Sequence, residues 1–419
     1  LNAEHSSPSQ TSEHPIQVVS NTDDPLTHLV LLILERHKQE LPDLSQVIIL
    51  TPDMIIGRRL RQQLSQAARD RGVNALLGPT ISTLRSWVEC TIPLDKPVMS
   101  AAARELMLIE SLYQHTSLFG APNPWYLAGC LVSLFDELTL HRIELPQKLD
   151  DFIPMLENGY GLESIAISAF TREASLIHTL WCAWHQQQLE EGMIDRHAAY
   201  LAKLTASQQL ISPADNFYLL GYFSLLASEF EWVQHLVNTG QMFLIMQGNY
   251  EPRHPADVNN PYSIIENLAA RFDGPPHINP AVKDTYTEFL DVVYSSRLTG
   301  TADVALDLSQ RAHQFVTACP HSPLNERLYI FEAFDAEQEA HGIDIQIRRW
   351  LLEGKDRIGV ITEDRRLARR LRAILERANI TLQDPAGWAL STTSAASTLE
   401  RWLETLEEDF DHQPLLDLL

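Results

Sequence analysis

Two stretches of the chain carry phosphate-binding residue types at a repeated spacing. Thr51-Pro-Asp53 is followed, after three residues, by Gly57-Arg58-Arg59-Leu60-Arg61 and then Leu64. Thr362-Glu-Asp364 is followed, after the same interval, by Ala368-Arg369-Arg370-Leu371-Arg372 and then Leu375. Seven of the fourteen positions are identical, and Gly57 against Ala368 exchanges one small residue for another. Each copy follows a short apolar run and opens a helical pattern. The Asp suits a helix N-cap, and the leucines, one turn apart, share a sheet-facing side. The arginines fall on the remaining faces. Hydroxyls and guanidinium groups at strand ends and helix starts are suited to holding a nucleic-acid backbone. The candidate contacts are Thr51, Arg58, Arg59, Arg61, Ser82 and Thr83 in the first half. In the second they are Thr362, Arg365, Arg366, Arg369, Arg370, Ser391, Thr392 and Thr393. The first reading of such a stripe is a solvated helix face with ordinary arginines. Two such clusters in a chain of net charge −23, with seven arginines against three acids between Arg357 and Arg377, raise the phosphate-contacting reading beside it. That same charge excludes a protein that coats DNA with its whole surface. Trp87 or Trp388 could stack on a base, but a lone Trp among apolar neighbours reads first as core.

The elements that must position these residues alternate between strand and helix. Ile16-Gln-Val-Val19 reads as a strand, Leu26 to Lys38 as a helix, and Val47-Ile-Ile-Leu50 as a buried strand. Thr51-Pro-Asp53 opens a helix to about Arg71, and Gly78-Pro-Thr-Ile-Ser-Thr83 is extended ahead of Leu84 to Val88. Strands alternating with helices imply a parallel sheet with crossover helices. Residues 100–205 carry helical spacing, in Ala101 to Tyr113, Trp125 to Leu140 and Ala166 to Leu189, and read as an all-helical insertion. Strands resume at Phe217-Tyr-Leu-Leu220 and Met242-Phe-Leu-Ile-Met246, with a helix near Ser263 to Arg271. A second α/β unit is expected from Leu328-Tyr-Ile-Phe331, the helix Ala336 to Leu352 and the strand Ile358-Gly-Val-Ile361. The expected division is a tail at 1–14, a first α/β domain at 15–99 plus 206–290, the insertion at 100–205, a connection at 291–326 and a second domain from 327. A second helical insertion would start after about 395.

Composition sets the outer limits. At 419 residues, 45% apolar and 21% charged, the chain is an ordinary globular one of two or three domains. It lacks any apolar run near 20 residues and any signal peptide, so a cytoplasmic protein without a membrane partner is expected. It does not begin with Met, and Pro414-Leu-Leu-Asp-Leu-Leu419 follows directly on a helical pattern, as expected for part of a longer protein. Cys90, Cys130, Cys182 and Cys319 are widely spaced and read as buried, reduced thiols. Neither they nor the sixteen histidines form a metal-ligand spacing.

Two α/β units with a helical insertion in the first resemble superfamily 1 helicases, built from two RecA-like domains. Such a motor needs GxxxxGK[ST] after its first strand. The corresponding run, Val18-Val-Ser-Asn-Thr-Asp-Asp-Pro-Leu-Thr-His28, has neither Gly nor Lys. Its Ser20, Asn21, Asp23 and Asp24 would put two carboxylates where polyphosphate sits, and like charges repel. The strand that should end in Asp-Glu ends in Gly221-Tyr222. The next, Phe243-Leu-Ile-Met-Gln-Gly-Asn249, lacks the Gly-Asp and later Gln. No nucleotide, metal or other cofactor is expected here.

The stretch from Leu328 to Glu404 resembles AddB-type double-strand-break repair proteins. The resemblance rests on Glu332-Ala-Phe-Asp-Ala-Glu-Gln-Glu339, on Ile358-Gly-Val-Ile-Thr-Glu-Asp-Arg-Arg-Leu-Ala-Arg-Arg-Leu-Arg372, and on Asp384-Pro-Ala-Gly387-Trp-Ala-Leu-Ser391-Thr-Thr393. Leu50-Thr-Pro52, Gly78-Pro-Thr-Ile-Ser-Thr83 and Leu131-Val-Ser-Leu-Phe-Asp-Glu-Leu138 are similar to the family's N-terminal half. The resemblance implies an inactivated helicase joined to a C-terminal PD-(D/E)xK nuclease. Such a protein pairs with an AddA-like motor-nuclease subunit to resect DNA ends, as single strand or duplex. Magnesium would belong to the nuclease beyond Leu419; Glu353-Gly-Lys355 imitates its ExK element without the preceding strand and Asp. Two rivals stand beside this reading: a protein-interaction scaffold without DNA binding, and a helicase with an unconventional nucleotide site.

Overall fold

A computed structural model describes residues 14–21, 23–114, 123–160, 167–248, 263–272, 276–278, 285–294, 304–384, 387 and 393–418. The chain forms two compact units, Leu1–Pro320 and His321–Leu419. The expected tail lies almost wholly outside the described residues.

The first unit is built on six strands: β1 (Ile16–Val19), β2 (Val47–Leu50), β3 (Thr80–Ser82), β4 (Asn216–Leu220), β5 (Met242–Gln247) and β6 (His277–Ile278). Every pairing is parallel, in the order β3-β2-β4-β5-β1-β6. Ile49 lies opposite Tyr218, Leu219 opposite Leu244, and Val18 opposite Met246. The four central strands are apolar almost throughout because both sheet faces are covered. On one face Val19, Val47, Ile49, Tyr218, Leu220 and Ile245 pack under α1 (Pro25–Arg36) and α2 (Met54–Asp70). On the other, Val18, Leu50, Phe217, Leu219 and Leu244 pack under α3 (Leu84–Thr91), α8 (Arg196–Leu210), α9 (Ala227–Asn238) and α10 (Ser263–Ala269). The fold is thus α/β with a parallel sheet, compatible with a RecA-like plan.

Between α3 and β4 the chain is helical: α4 (Ala101–Gln114), α5 (Pro124–Leu140), α6 (Leu149–Tyr160), α7 (Ile167–Glu191) and α8. A separate core of Leu108, Leu112, Leu131, Phe135, Trp181 and Trp184 joins α4, α5 and α7. The sequence reading ran its insertion to residue 205. However, Tyr200, Leu201 and Leu204 bury α8 against the sheet layer, beside α3 and α9. Arg104 crosses this boundary. Its guanidinium is buried and donates to Asp195 and Asp136, 2.5 Å each, and to the Val132 carbonyl at 3.2 Å. Asp195 caps α8 through the His197 and Ala198 amides. Arg85 donates to His197 Nδ1 at 3.1 Å, and His197 Nε2 faces Asp136 at 3.3 Å. The ring is therefore neutral. Burial holds its pKa below the ordinary value, and Arg85 and Arg104 add to this against the opposing pull of Asp136 and Asp195.

The second unit carries α13 (Ala336–Leu352), α14 (Arg365–Arg377), α15 (Ser394–Glu407) and α16 (His412–Leu418); α11 (Thr285–Tyr294) and α12 (Val304–Ala318) precede it in the first. Its core joins Ile347, Leu371 and Leu375, with Ile358, Ile380 and Leu382 against them. Here the structure corrects the sequence reading. Among the described residues neither Leu328–Phe331 nor Ile358–Ile361 belongs to a sheet. An apolar run becomes a strand only through a ladder partner, and the described residues of this unit supply none. The cysteines need a second correction, since Cys90, Cys130 and Cys182 are exposed on the outer faces of their helices. No helix among the described residues is long and apolar enough to cross a membrane.

Trp232 is buried, packs against Trp87 and Phe217, and donates its indole N–H to Ser207 Oγ at 2.8 Å. Trp232→Ala is expected to cost about 3–5 kcal/mol, read as a lowered denaturant midpoint. The depressed His197 pKa sets a pH dependence. An imidazole kept neutral in the fold charges more readily when unfolded, so stability falls as pH drops through about 6.5. Denaturant titrations from pH 7.5 to 5.5 should show this slope, and His197→Gln should flatten it in part, since burial holds His28 and His185 down in the same direction.

Candidate functional site

The carboxyl end of the sheet gathers the turns after β1, β2, β3, β4 and β5, where ligands of open parallel sheets bind. The turn after β1 is closed by its own side chains. Asp24 caps α1, accepting from the Leu26 N–H at 3.3 Å and from the Thr27 hydroxyl at 3.0 Å. Gln63 donates to the same carboxylate at 3.2 Å, and Arg59 lies 3.5 Å from it. Burial pushes the Asp24 pKa up, but the bonds from Gln63, Thr27 and Leu26 and the charge of Arg59 together bring it below the ordinary value. From β5, the Gln247 amide reaches the carbonyls of Ser20, Asn21 and Asp23 at 3.4, 3.5 and 3.0 Å.

A helix N-terminus holds phosphate through free N–H groups and its positive end. Here Pro25 has no N–H, and a carboxylate of the chain itself occupies the position of the anion. The loop that follows β1 therefore holds an internal acid where a nucleotide would need a donor. At the end of β4, Gly221 takes a positive φ of 67° and presents Tyr222. The Tyr222 hydroxyl donates to the Thr51 carbonyl at 2.8 Å and accepts from the Leu84 N–H at 3.0 Å. Its pKa is pushed up to about 12, first by burial, with Glu229 adding to it. The phenol thereby clamps the ends of β2 and β3. Among the described residues no three His, Cys, Asp or Glu side chains converge as a metal site would require.

The sequence candidates divide by what they touch. Thr51 is fully buried and donates to the Asp53 carbonyl at 2.8 Å, so its hydroxyl is structural. Thr362 accepts from the Asp364 N–H at 3.1 Å. Thr83 and Thr393 are N-caps, each accepting from the amide three residues on, Ser86 and Ala396, at 3.2 Å. Ser82 passes its carbonyl to the Thr51 N–H at 2.9 Å. Ser391, Thr392 and Trp388 lie outside the described residues. Trp87 is core, packed edge-on to Phe217.

The arginines separate in a way that spacing alone did not reveal. Arg59, the second of its pair, reaches Asp24 at the head of α1. Arg370, its counterpart, reaches Glu337 in the first turn of α13 at 3.1 Å. Arg61 donates to the Ile81 carbonyl at 3.0 Å, and Arg365 to Asp384 and the Gly387 carbonyl at 3.0 and 2.7 Å. Among the described residues the first arginine of each pair has no acidic partner: Arg58 is exposed, and Arg369 is exposed with the Arg365 carbonyl at 3.2 Å. Arg366 is exposed beside Arg369, likewise without an acid. Sequence reasoning missed Gln63, Gln247 and Tyr222, whose roles depend on strand order. Tyr222 had a signal, as a polar aromatic directly after a strand-ending Gly. No family model matches the chain, and no curated protein matches it.

The Asp24 cap carries a measurable load. Asp24→Ala should lower stability by about 0.5–2 kcal/mol, whereas Asp24→Asn, which still accepts from Leu26, should lose less. A carboxylate held down by the fold stabilises above its unfolded pKa and loses that contribution as pH falls through the folded one. The gap between wild type and Asp24→Asn should therefore close below about pH 4 in acid denaturation.

Proposed function

We propose that this chain is a non-catalytic, helicase-like DNA-handling scaffold, of the kind that AddB-type break-repair subunits provide. One observation supports it most directly. In both copies of the repeated helix the second arginine is tied to an acid at the head of the preceding helix, while the first, Arg58 or Arg369, stays exposed without one among the described residues. A surface that served only solvation would have no reason to partition its arginines the same way twice. Exposed guanidinium groups at helix starts, in an otherwise acidic chain, give a local grip on phosphates without a general affinity for DNA.

The turn after β1 supports the non-catalytic part. Binding a triphosphate there would mean displacing Asp24 from four donors and bringing like charges together. Nucleotide hydrolysis is therefore assigned to an AddA-like motor partner, and magnesium-dependent cleavage to a nuclease outside residues 1–419. The strand is held and the motor docked by this chain, in the cytoplasm. A scaffold without DNA binding remains the rival reading, and the arginines discriminate between them.

Anisotropy of a labelled oligothymidine should show binding that weakens as salt rises. Charge reversal at Arg58, Arg366 and Arg369 together should weaken it at least tenfold at low salt. The slope of log affinity against log salt should become shallower by about 2, at about 0.7 per phosphate contact. Binding that is absent or independent of salt would remove the DNA reading and leave the scaffold. A rise in melting temperature with ATP and magnesium would instead restore the motor reading.

A further inference from the structure

Polar links join α3 to α8 at both ends of α3. At its head Arg85 donates to His197 Nδ1 at 3.1 Å, and at its tail Lys203 donates to the Glu89 carbonyl at 2.7 Å. Between them Trp87 and Val88 pack in the same apolar layer as Tyr200, Leu201 and Leu204. The head link contains an imidazole and the tail link does not. His197 Nε2 faces the Asp136 carboxylate at 3.3 Å, so it carries the ring's proton, and a guanidinium N–H fills the Nδ1 lone pair. A second proton can enter the ring only at Nδ1. There it sets donor against donor and cation against cation, which is incompatible with the Arg85 contact.

The charged groups around the ring come from several elements. Arg85 approaches from α3, Asp136 from α5 and Arg104 from α4, while Asp195 is the cap of α8 itself. Burial disfavours the charged ring first, Asp136 and Asp195 oppose it, and the two guanidinium groups add to it, leaving the ring's pKa below the ordinary value. His185 of α7 lies near Asp195 and is also held down by burial. α9, which packs on α8 as well, brings Glu229, and that carboxylate is engaged by the Tyr200 hydroxyl at 2.6 Å and the Leu226 N–H at 2.9 Å. Arg85 can leave the ring without being stranded. It keeps Glu89 of its own helix at 2.9 Å, and its side chain is already 35% exposed.

The head of α3 also carries the strand-end clamp. Leu84, the residue before Arg85, gives its N–H to the Tyr222 hydroxyl at 3.0 Å, and that hydroxyl donates to the Thr51 carbonyl at 2.8 Å. We infer that His197 is a proton-operated latch on the head of α3. With the ring neutral, Arg85 is held against α8 and the Leu84–Tyr222–Thr51 clamp is tight. With the ring charged, Arg85 is released and the clamp loosens, while Lys203 keeps the tail of α3 in place and Arg104 keeps α4 joined to Asp136 and Asp195. This inference does not depend on DNA binding.

The test uses the 419-residue chain from about pH 7.5 to about pH 5, a range spanning the ordinary histidine value. NMR of protein labelled at histidine Cε1 follows each ring. His197→Gln, whose amide can still accept from Arg85 and donate to Asp136, assigns the signal. Arg85→Met should raise the His197 pKa, because an opposing cation is gone. Hydrogen exchange by mass spectrometry, corrected for the intrinsic effect of pH, should show protection of 84–88 falling about tenfold as the ring charges, a local opening. Protection of 101–112 should not change. His197→Gln should abolish the step, and His185→Gln should retain it. The inference fails if Arg85→Met leaves the His197 titration in place, or if wild type shows no step at 84–88. It also fails if the step survives His197→Gln, vanishes in His185→Gln, or opens 101–112 together with 84–88.

Discussion

The Asp24 carboxylate at the head of α1 is the interaction on which the site depends. A helix end in a parallel α/β fold is a standing positive charge that some anion must answer. In a nucleotide-binding chain the ligand brings that anion. Here the polypeptide supplies it, and Gln63, Thr27 and Arg59 converge on it. Gln247 then fastens the turn from the neighbouring strand. The turn, Ser20 to Asp24, contains neither glycine nor lysine.

Tyr222 closes the turn after β4, two strands over. A metal-binding acid at the end of β4 would demand an open, solvated position. A phenol that bridges the Thr51 carbonyl and the Leu84 amide demands closure. Both features close this end of the sheet with contacts internal to the chain. Among the described residues, the outward face of α2 stays exposed near this end of the sheet. There Arg58 is left exposed while Arg59 and Arg61 are engaged within the fold.

Much of this was legible in the sequence. The apolar runs of β1, β2, β4 and β5 announce strands covered on both faces, and their alternation with Asp-capped helices announces parallel pairing. The repeat was legible because identical caps and leucines recur at identical intervals. Three things were not. Leu328–Phe331 and Ile358–Ile361 have the composition of strands, but composition cannot say whether a neighbour exists to complete the ladder. The arginines looked equivalent because spacing fixes the face of a helix and not the acid opposite it; Arg59 and Arg370 are separated from Arg58 and Arg369 only by tertiary placement. α8 read as part of the helical layer because its periodicity is that of any helix, whereas Tyr200, Leu201 and Leu204 turn it toward the sheet.

The Arg104 bridge has a mechanical meaning. Its guanidinium joins α4 to Asp136 on α5 and to Asp195, the cap of a helix that belongs to the sheet layer. Tilting the helical layer would strip a buried cation of both counter-ions at once, which is far more costly than sliding one greasy surface over another. Load applied to the outer helices would therefore pass through α8 into the floor beneath the strand-end turns rather than dissipate at a hinge. The first unit is thereby braced like a bracket, its outer helices and its strand-end turns tied through one buried cation.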